Sequence, residues 1–273
     1  MERRTPRIGI ALGAGSARGW AHIGVLQALK EAGIVPDLVC GTSIGALVGA
    51  VYADDRLGEL EQWVQTLTWR KMAGYFDLSF SGGIIKGEKL LDHLRGSLLD
   101  KSIADLKRPF GAVATDLENG REIWLREGRV SDAVRASIAL PGLFTPCLRE
   151  GRLLVDGALV NPVPVSLARA MDADFVIAVD LSSNTVGPFT RKAEQRDTKL
   201  PGMVEVITSA VNIMSVRVTR SRMAGEPPDA VIQPRLGELG LLEYHRGSAA
   251  ISEGRVAAEV TIPQIQRLLQ DRQ

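Results

Sequence analysis

The 273 residues carry a net charge of +1, with 24% charged and 45% hydrophobic side chains, a balance suited to a globular fold with a substantial core. No global positive field points to nucleic acid, and no acidic tail points to a charged partner. The two cysteines, Cys40 and Cys147, lack any close Cys or His spacing, which argues against a disulfide framework and a zinc site.

The start has basic residues and a short apolar run, Ile8 to Leu12, but that run is shorter than a secretory signal core and meets glycines and Arg18 at once. A buried first strand over 7–12 fits better. A glycine-rich turn follows, then a helix over 19–33 with apolar positions Ile23, Leu26, Ala28 and Leu29, closed by Gly33. Asp37 to Cys40 reads as a second strand, and 45–53 as a helix apolar on all sides, hence central. The apolar stretch 38–53 is too short and glycine-rich to span a bilayer, and a cytoplasmic location is expected. Further strands are predicted at 110–115, 121–126 after the Glu118-Asn119-Gly120 turn, 153–155, 174–180 and 230–233. Asn161-Pro162 opens another helix, 203–223 has helical spacing, and the polar stretch 182–202 reads as a flexible loop. No internal repeat is evident. Alternating strands and helices predict a single α/β domain over 1–273, with helices on both faces of one sheet.

Gly41-Thr42-Ser43-Ile44-Gly45 matches G-x-S-x-G between a predicted strand and a buried helix. That context raises a weak string to a candidate nucleophile turn, because Gly41 and Gly45 let strand and helix pass closely while Ser43 sits exposed on a strained backbone. The bland alternative is a crossing capped by a serine. A conventional triad would need a histidine, but His22, His93 and His245 all lie on predicted helices or their starts, not in loops after strands. Asp156 instead ends a predicted strand and is turned sharply by Gly157. A free aspartate, with a pKa of about 3.9, is a poor base, but burial and a bond to a serine hydroxyl can bring it into use; standing alone, the motif reads better as a plain Asp-Gly turn.

Two functions compete for Gly13-Ala14-Gly15-Ser16-Ala17-Arg18-Gly19. The spacing G-x-G-x-x-x-G, with no acidic residue ending the second strand, is a poor dinucleotide fingerprint. The other reading is an oxyanion hole, with N–H groups from the loop, chiefly Gly15 and Ser16, assisted by Ile44 and with Arg18 steadying the loop or meeting a phosphate, and a plain β–α turn stays open beside it. Trp63, Trp69, Tyr75, Phe76 and Phe80 cluster with Arg70 and Lys71. They read either as a membrane-surface patch or as a helix pair packed on the sheet, and the second is the commoner fate of such a stripe.

Taken together, Leu12-Gly-Ala-Gly-Ser-Ala-Arg-Gly19, Ala21-His-Ile-Gly-Val-Leu26, Gly41-Thr-Ser-Ile-Gly45, Val113-Ala-Thr-Asp-Leu117, Arg135-Ala-Ser-Ile-Ala-Leu-Pro-Gly142 and Asp156-Gly-Ala158 resemble the patatin-like phospholipase family. Arg222-Met-Ala-Gly225 and Tyr244-His-Arg246 resemble its bacterial RssA-type branch, related to the neuropathy target esterase catalytic domain. The resemblance implies a three-layer α/β/α sandwich with a mostly parallel sheet. It also implies a Ser–Asp dyad acting through an acyl-enzyme on phospholipid, lysophospholipid or another acyl ester. Ser43 would be nucleophile, Asp156 base, and Gly13, Ala14, Gly15, Ser16, Arg18 and Ile44 the oxyanion region, with Gly41, Gly45 and Gly157 as supports. No metal or cofactor is implied, and peripheral contact with a membrane surface is a further expectation. Ala14, Ser16 and Ala158 stand where other members have glycine. A non-catalytic lipid-binding or regulatory module on the same fold is the main rival, and a nucleotide-binding oxidoreductase a distant third.

Overall fold

A computed structural model describes residues 5–71, 99–182 and 202–272. In chain order they form β1 (Ile8–Leu12), α1 (Ala21–Glu31), β2 (Leu38–Thr42), α2 (Ile44–Ala53), α3 (Leu57–Gln65), β3 (Phe110–Asp116) and β4 (Glu122–Leu125). Then follow α4 (Val130–Ser137), β5 (Cys147–Arg149), β6 (Arg152–Asp156), α5 (Val165–Ala170), β7 (Phe175–Val179), α6 (Met203–Gly225), β8 (Ala230–Ile232) and α7 (Gly247–Gln270). The loop expected at 182–202 lies almost wholly outside the described residues, as do His93, Tyr75, Phe76 and Phe80.

The strands form one eight-stranded sheet. β3, β2, β1, β7 and β8 run parallel, while β4 and β6 pair antiparallel with β3, and β5 with β6. Strand alternation divides the core. Ile10, Leu12, Val39, Phe110, Ala112, Phe175, Ile177 and Val179 pack with α1, α2, α4 and α7 on one face. Ala11, Leu38, Cys40, Val113, Val176 and Ala178 pack with α5 on the other. Helices on both faces make this the three-layer α/β/α arrangement, with a mostly parallel sheet. On the second face, a Cβ added to Gly9 would lie 2.7 Å from the Ala173 Cβ, so the segment after α5 rides close to the strands.

Two helices on the larger face touch backbone to backbone. A Cβ on Gly24 of α1 would lie 1.9 Å from the Ile251 carbonyl oxygen of α7, and one on Gly254 of α7 would lie 1.9 Å from the Ala21 oxygen. Neither clash can be relieved by a side-chain rotation. Gly24→Ala and Gly254→Ala are each expected to destabilise the protein by about 3 kcal/mol or more, at the upper end of overpacking costs. Urea unfolding measures this, and an unchanged midpoint would contradict the close crossing.

Of the aromatic stripe, Trp63 lies half-buried and edge-on to the Trp20 ring at 6.0 Å between centroids. Trp69 is 66% exposed and meets His245 edge-on at 5.7 Å. The core reading therefore applies to Trp63 and not to Trp69.

Candidate active site

Sheet register brings the two chemical side chains together. β4 pairs with Ala112 to Thr115 of β3, overlapping the residues that pair with β2 (Ala112, Val113) and those that pair with β6 (Ala114, Thr115). A strand has two edges, so β4 takes one of them and β2 and β6 lie end to end along the other. Thr42, opposite Val113, ends β2, and Asp156, opposite Ala114, ends β6. The two chain ends converge from opposite directions, and Ser43 emerges beside Asp156.

Each turn is sterically enforced. A Cβ on Gly41 would lie 2.3 Å from the Gly45 oxygen, and one on Gly45 would lie 2.2 Å from the Leu12 oxygen, so β2, α2 and β1 meet only because both residues are glycine. Ser43 takes φ 59° and ψ −126°, a conformation costing a side-chain-bearing residue about 1–3 kcal/mol. Its N–H donates to Ser137 Oγ at 2.9 Å, and that hydroxyl donates to the Val113 oxygen at 2.6 Å, a brace that holds the strained residue. On the other side, a Cβ on Gly157 would lie 2.3 Å from the Val113 oxygen. The Asp156 N–H donates to the Ala139 oxygen at 3.0 Å, and the Asp156 carbonyl accepts from Thr115 Oγ1 at 2.8 Å.

Ser43 Oγ donates to Asp156 Oδ2 at 2.6 Å, and Asp156 Oδ1 accepts from the Ala158 N–H at 2.8 Å. Only 1% of Asp156 is exposed. Burial pushes its carboxyl up from the ordinary 3.8 to about 7, opposed by the bonds from Ser43 and Ala158. Such a carboxyl is poised to take a proton near neutral pH.

The glycine loop sorts into anchors and available donors. The N–H groups of Gly13 and Ala14 donate to the Val179 oxygen at 3.0 Å and the Pro162 oxygen at 2.9 Å. They are spent on holding the loop, which narrows the expected donor set. Arg18 is a buried anchor too: its Nε donates to the Leu239 oxygen at 2.8 Å, and burial lowers its pKa to about 10, against the pull of Glu243. Gly15 and Ser16 line the pocket beside Ser43 and Asp156, and among the described residues no acceptor takes their N–H groups. Ile44, the first residue of α2, also lines the pocket, with an N–H that has no intrahelical acceptor. The remaining wall is mostly apolar, formed by Leu47, Ile138, Leu143, Phe144, Val211 and Leu241.

Several positioning residues were not singled out from the sequence. Ser137 lay inside a recognisable string without an assigned role. His22, placed by the sequence on the first helix, is fully buried, and its Nε2 lies 2.8 Å from the Gly13 oxygen. Because a carbonyl only accepts, Nε2 carries the proton. Burial lowers the His22 pKa to about 4, against the Gly13 bond, so the ring is neutral and tethers the loop. Thr42 Oγ1 donates to the Asn161 oxygen at 2.8 Å, tying the serine turn to the segment before α5.

Residues 10–169 match the patatin-like phospholipase family. An uncharacterized NTE family protein of Mycobacterium tuberculosis is 41% identical over 216 residues, which cover 78% of this chain and 60% of the relative. Human patatin-like phospholipase domain-containing protein 6 is 37% identical over 184 residues, covering 64% of this chain and 13% of that protein. The chain thus spans only part of the length of the relatives it matches. The crystal structure of VipD from Legionella pneumophila shares the fold at a TM-score of 0.51 and 14% identity, over 98% of this chain and 67% of VipD. The chain belongs to the patatin-like phospholipase family.

Proposed function

We propose that the protein is a serine lipid acyl hydrolase, with Ser43 as nucleophile and Asp156 as its base. The 2.6 Å bond between the Ser43 hydroxyl and a buried carboxyl held near neutral pH carries this reading. Asp156 takes the Ser43 proton as Oγ attacks the ester carbonyl carbon. The carbonyl oxygen becomes an oxyanion met by the N–H groups of Gly15, Ser16 and Ile44, each such donor being worth about 10²–10³ in rate. Asp156 returns the proton to the departing alkoxide, leaving an acyl-Ser43 ester. Water then attacks that ester while giving its proton to Asp156, and the proton passes back to Ser43 Oγ as the carboxylic acid leaves. The apolar wall takes the acyl chain, so phospholipids and lysophospholipids are the proposed substrates.

Hydrolysis of p-nitrophenyl butyrate and of a lysophospholipid by the purified protein, beside Ser43→Ala, tests this. Turnover that Ser43→Ala abolishes is expected. No turnover of either ester, with retained lipid binding, would favour the non-catalytic module instead.

No helix of the described residues is long and apolar enough to cross a membrane. We infer that lipid is met at a surface, through the outer stripe of α6. Val206, Ile213 and Met214 are each 51% exposed there, and Arg217 and Arg220 continue the same stripe. Val211, Ser215 and Thr219, on the opposite side of the helix, line the pocket. The double variant Ile213→Glu/Met214→Glu is expected to reduce flotation with anionic vesicles about fivefold or more, since each charge near the surface is worth roughly 1 kcal/mol. Unchanged flotation would remove α6 as the contact.

A further inference from the structure

Ser16 combines two features that do not ordinarily go together. It carries a side chain, yet its φ is +52°, in the left-handed region that favours glycine. Its backbone N–H is one of the two uncommitted donors of the loop, so the direction of that donor depends on a conformation serine does not prefer. Something must hold it there.

The holding group comes from far along the chain. Ser16 Oγ lies 2.7 Å from Tyr244 Oη, across 228 residues of sequence. Tyr244 is buried and lines the same pocket, and its hydroxyl stays protonated because burial raises its pKa to about 12. The segment carrying Tyr244 is bolted to the loop at three more points. The Ala17 N–H donates to the Leu241 oxygen at 3.1 Å, Arg18 Nε to the Leu239 oxygen at 2.8 Å, and Trp20 Nε1 to the Tyr244 oxygen at 3.2 Å. The Trp20 and Tyr244 rings meet edge-on at 6.0 Å. Within the strap itself, Glu243 accepts from the Gly240 N–H at 2.8 Å and from Arg246 at 3.1 Å, which fixes its shape. Residues 239–246 therefore form a rigid mount, and the Ser16–Tyr244 bond is the only one of the four loop contacts made through the side chain of a residue that also offers a donor to the pocket.

We propose that Tyr244 is a positioning residue: through the Ser16 hydroxyl it locks Ser16 in the left-handed conformation that aims the Ser16 N–H at the reacting carbonyl oxygen. The hydroxyl pair substitutes for the freedom that glycine would bring at this point. The proposal rests on the hydrolase reading above. Its effect belongs to the transition state, because the oxyanion exists only there, so it is read in kcat and not in KM.

The test is a mutant cycle on the full chain, with p-nitrophenyl butyrate as substrate. Tyr244→Phe is expected to lower kcat by about 10-fold with KM unchanged, less than the 10²–10³ of losing a donor outright. Ser16→Ala, which breaks the same bond from the other end but keeps the strained backbone, is expected to fall by a similar factor, and the two changes together by no more than either alone. Ser16→Gly, which needs no lock, is expected to retain more activity than Ser16→Ala. In its background Tyr244→Phe should cost less than twofold, which a merely structural tyrosine would not show. An unchanged kcat for Tyr244→Phe, an undiminished loss in the Ser16→Gly background, or a Ser16→Gly enzyme no better than Ser16→Ala would each overturn the proposal. A wild-type protein without turnover would overturn it together with the hydrolase reading, whereas an active wild type indifferent to Tyr244→Phe would overturn it alone.

Discussion

Asp156→Asn is expected to lower kcat/KM by about 10⁴ while making the folded protein more heat-stable above pH 7. The two effects share one cause. The folded-state pKa of Asp156, about 7, lies above its ordinary 3.8, so folding favours the neutral form. The associated stability is full below about pH 4 and is lost as pH rises through about 7. Above that the ionised carboxylate in a dry site is a fixed cost, at most on the order of 4 kcal/mol. Asparagine fills the same space and can still accept from the Ala158 N–H, but it cannot ionise and cannot take the Ser43 proton. Thermal melts should coincide near pH 4 and separate toward pH 8, with the variant higher. In the wild type, kcat/KM should rise with pH and level off above about 7. An Asn variant that melts lower at every pH would mean that the carboxylate is stabilised in its charged form, against this account.

His22→Leu is expected to cost about 10- to 100-fold in kcat, since it frees the Gly13 carbonyl and with it the loop that carries Gly15 and Ser16. The folded His22 pKa of about 4 lies below the ordinary 6.5, the reverse of Asp156. Its contribution to stability is present above pH 6.5 and is lost as pH falls through about 4. Between about pH 4 and 6.5 the two buried groups act in opposite directions, so the wild-type stability profile should be shallow there. Removing His22 should shift acid unfolding to lower pH, and removing the Asp156 charge should leave the His22 slope exposed. Melting temperatures of the wild type and both variants over that range measure this, and a steep wild-type slope unaffected by either substitution would contradict it.

What could be read in the sequence divides along range of interaction. The strand into Gly41-Thr42-Ser43-Ile44-Gly45 and the all-apolar helix after it were legible because both glycines and the serine serve one local turn. Asp156-Gly157 was legible for the same reason, as a strand end forced to turn. The sheet strands at 8–12, 110–116 and 175–179 stood out as continuous apolar runs, as strands buried on both faces do. By contrast, the helix expected to open at Asn161-Pro162 begins at Val165, because a short 3₁₀ turn at Gly157–Leu159 comes first and the chain then bends at 162–163 into a tight turn in which the Val165 N–H donates to the Val163 oxygen at 2.9 Å. The three-residue β5 has too little pattern to detect, and α4, although amphipathic, is only eight residues long and buries mostly Ala, Ser and Val, so few large apolar side chains mark it. The residues that tension the site were silent for a different reason. Ser137 reaches Ser43 across 94 positions and Tyr244 reaches Ser16 across 228, and neither spacing leaves a mark on local composition. Even His22, nine residues from Gly13, read as an ordinary helix position until the turn brought its ring under the loop carbonyl.

Labelling with a fluorophosphonate, followed by peptide mass mapping, tests the central claim most directly, because it asks only whether Ser43 is an activated nucleophile and requires no knowledge of the substrate. One adduct on the peptide containing Ser43 is expected in the wild type, absent in Ser43→Ala and slowed by a large factor in Asp156→Asn. A folded wild-type protein that takes up no label, or takes it up equally after Ser43→Ala, would contradict the account.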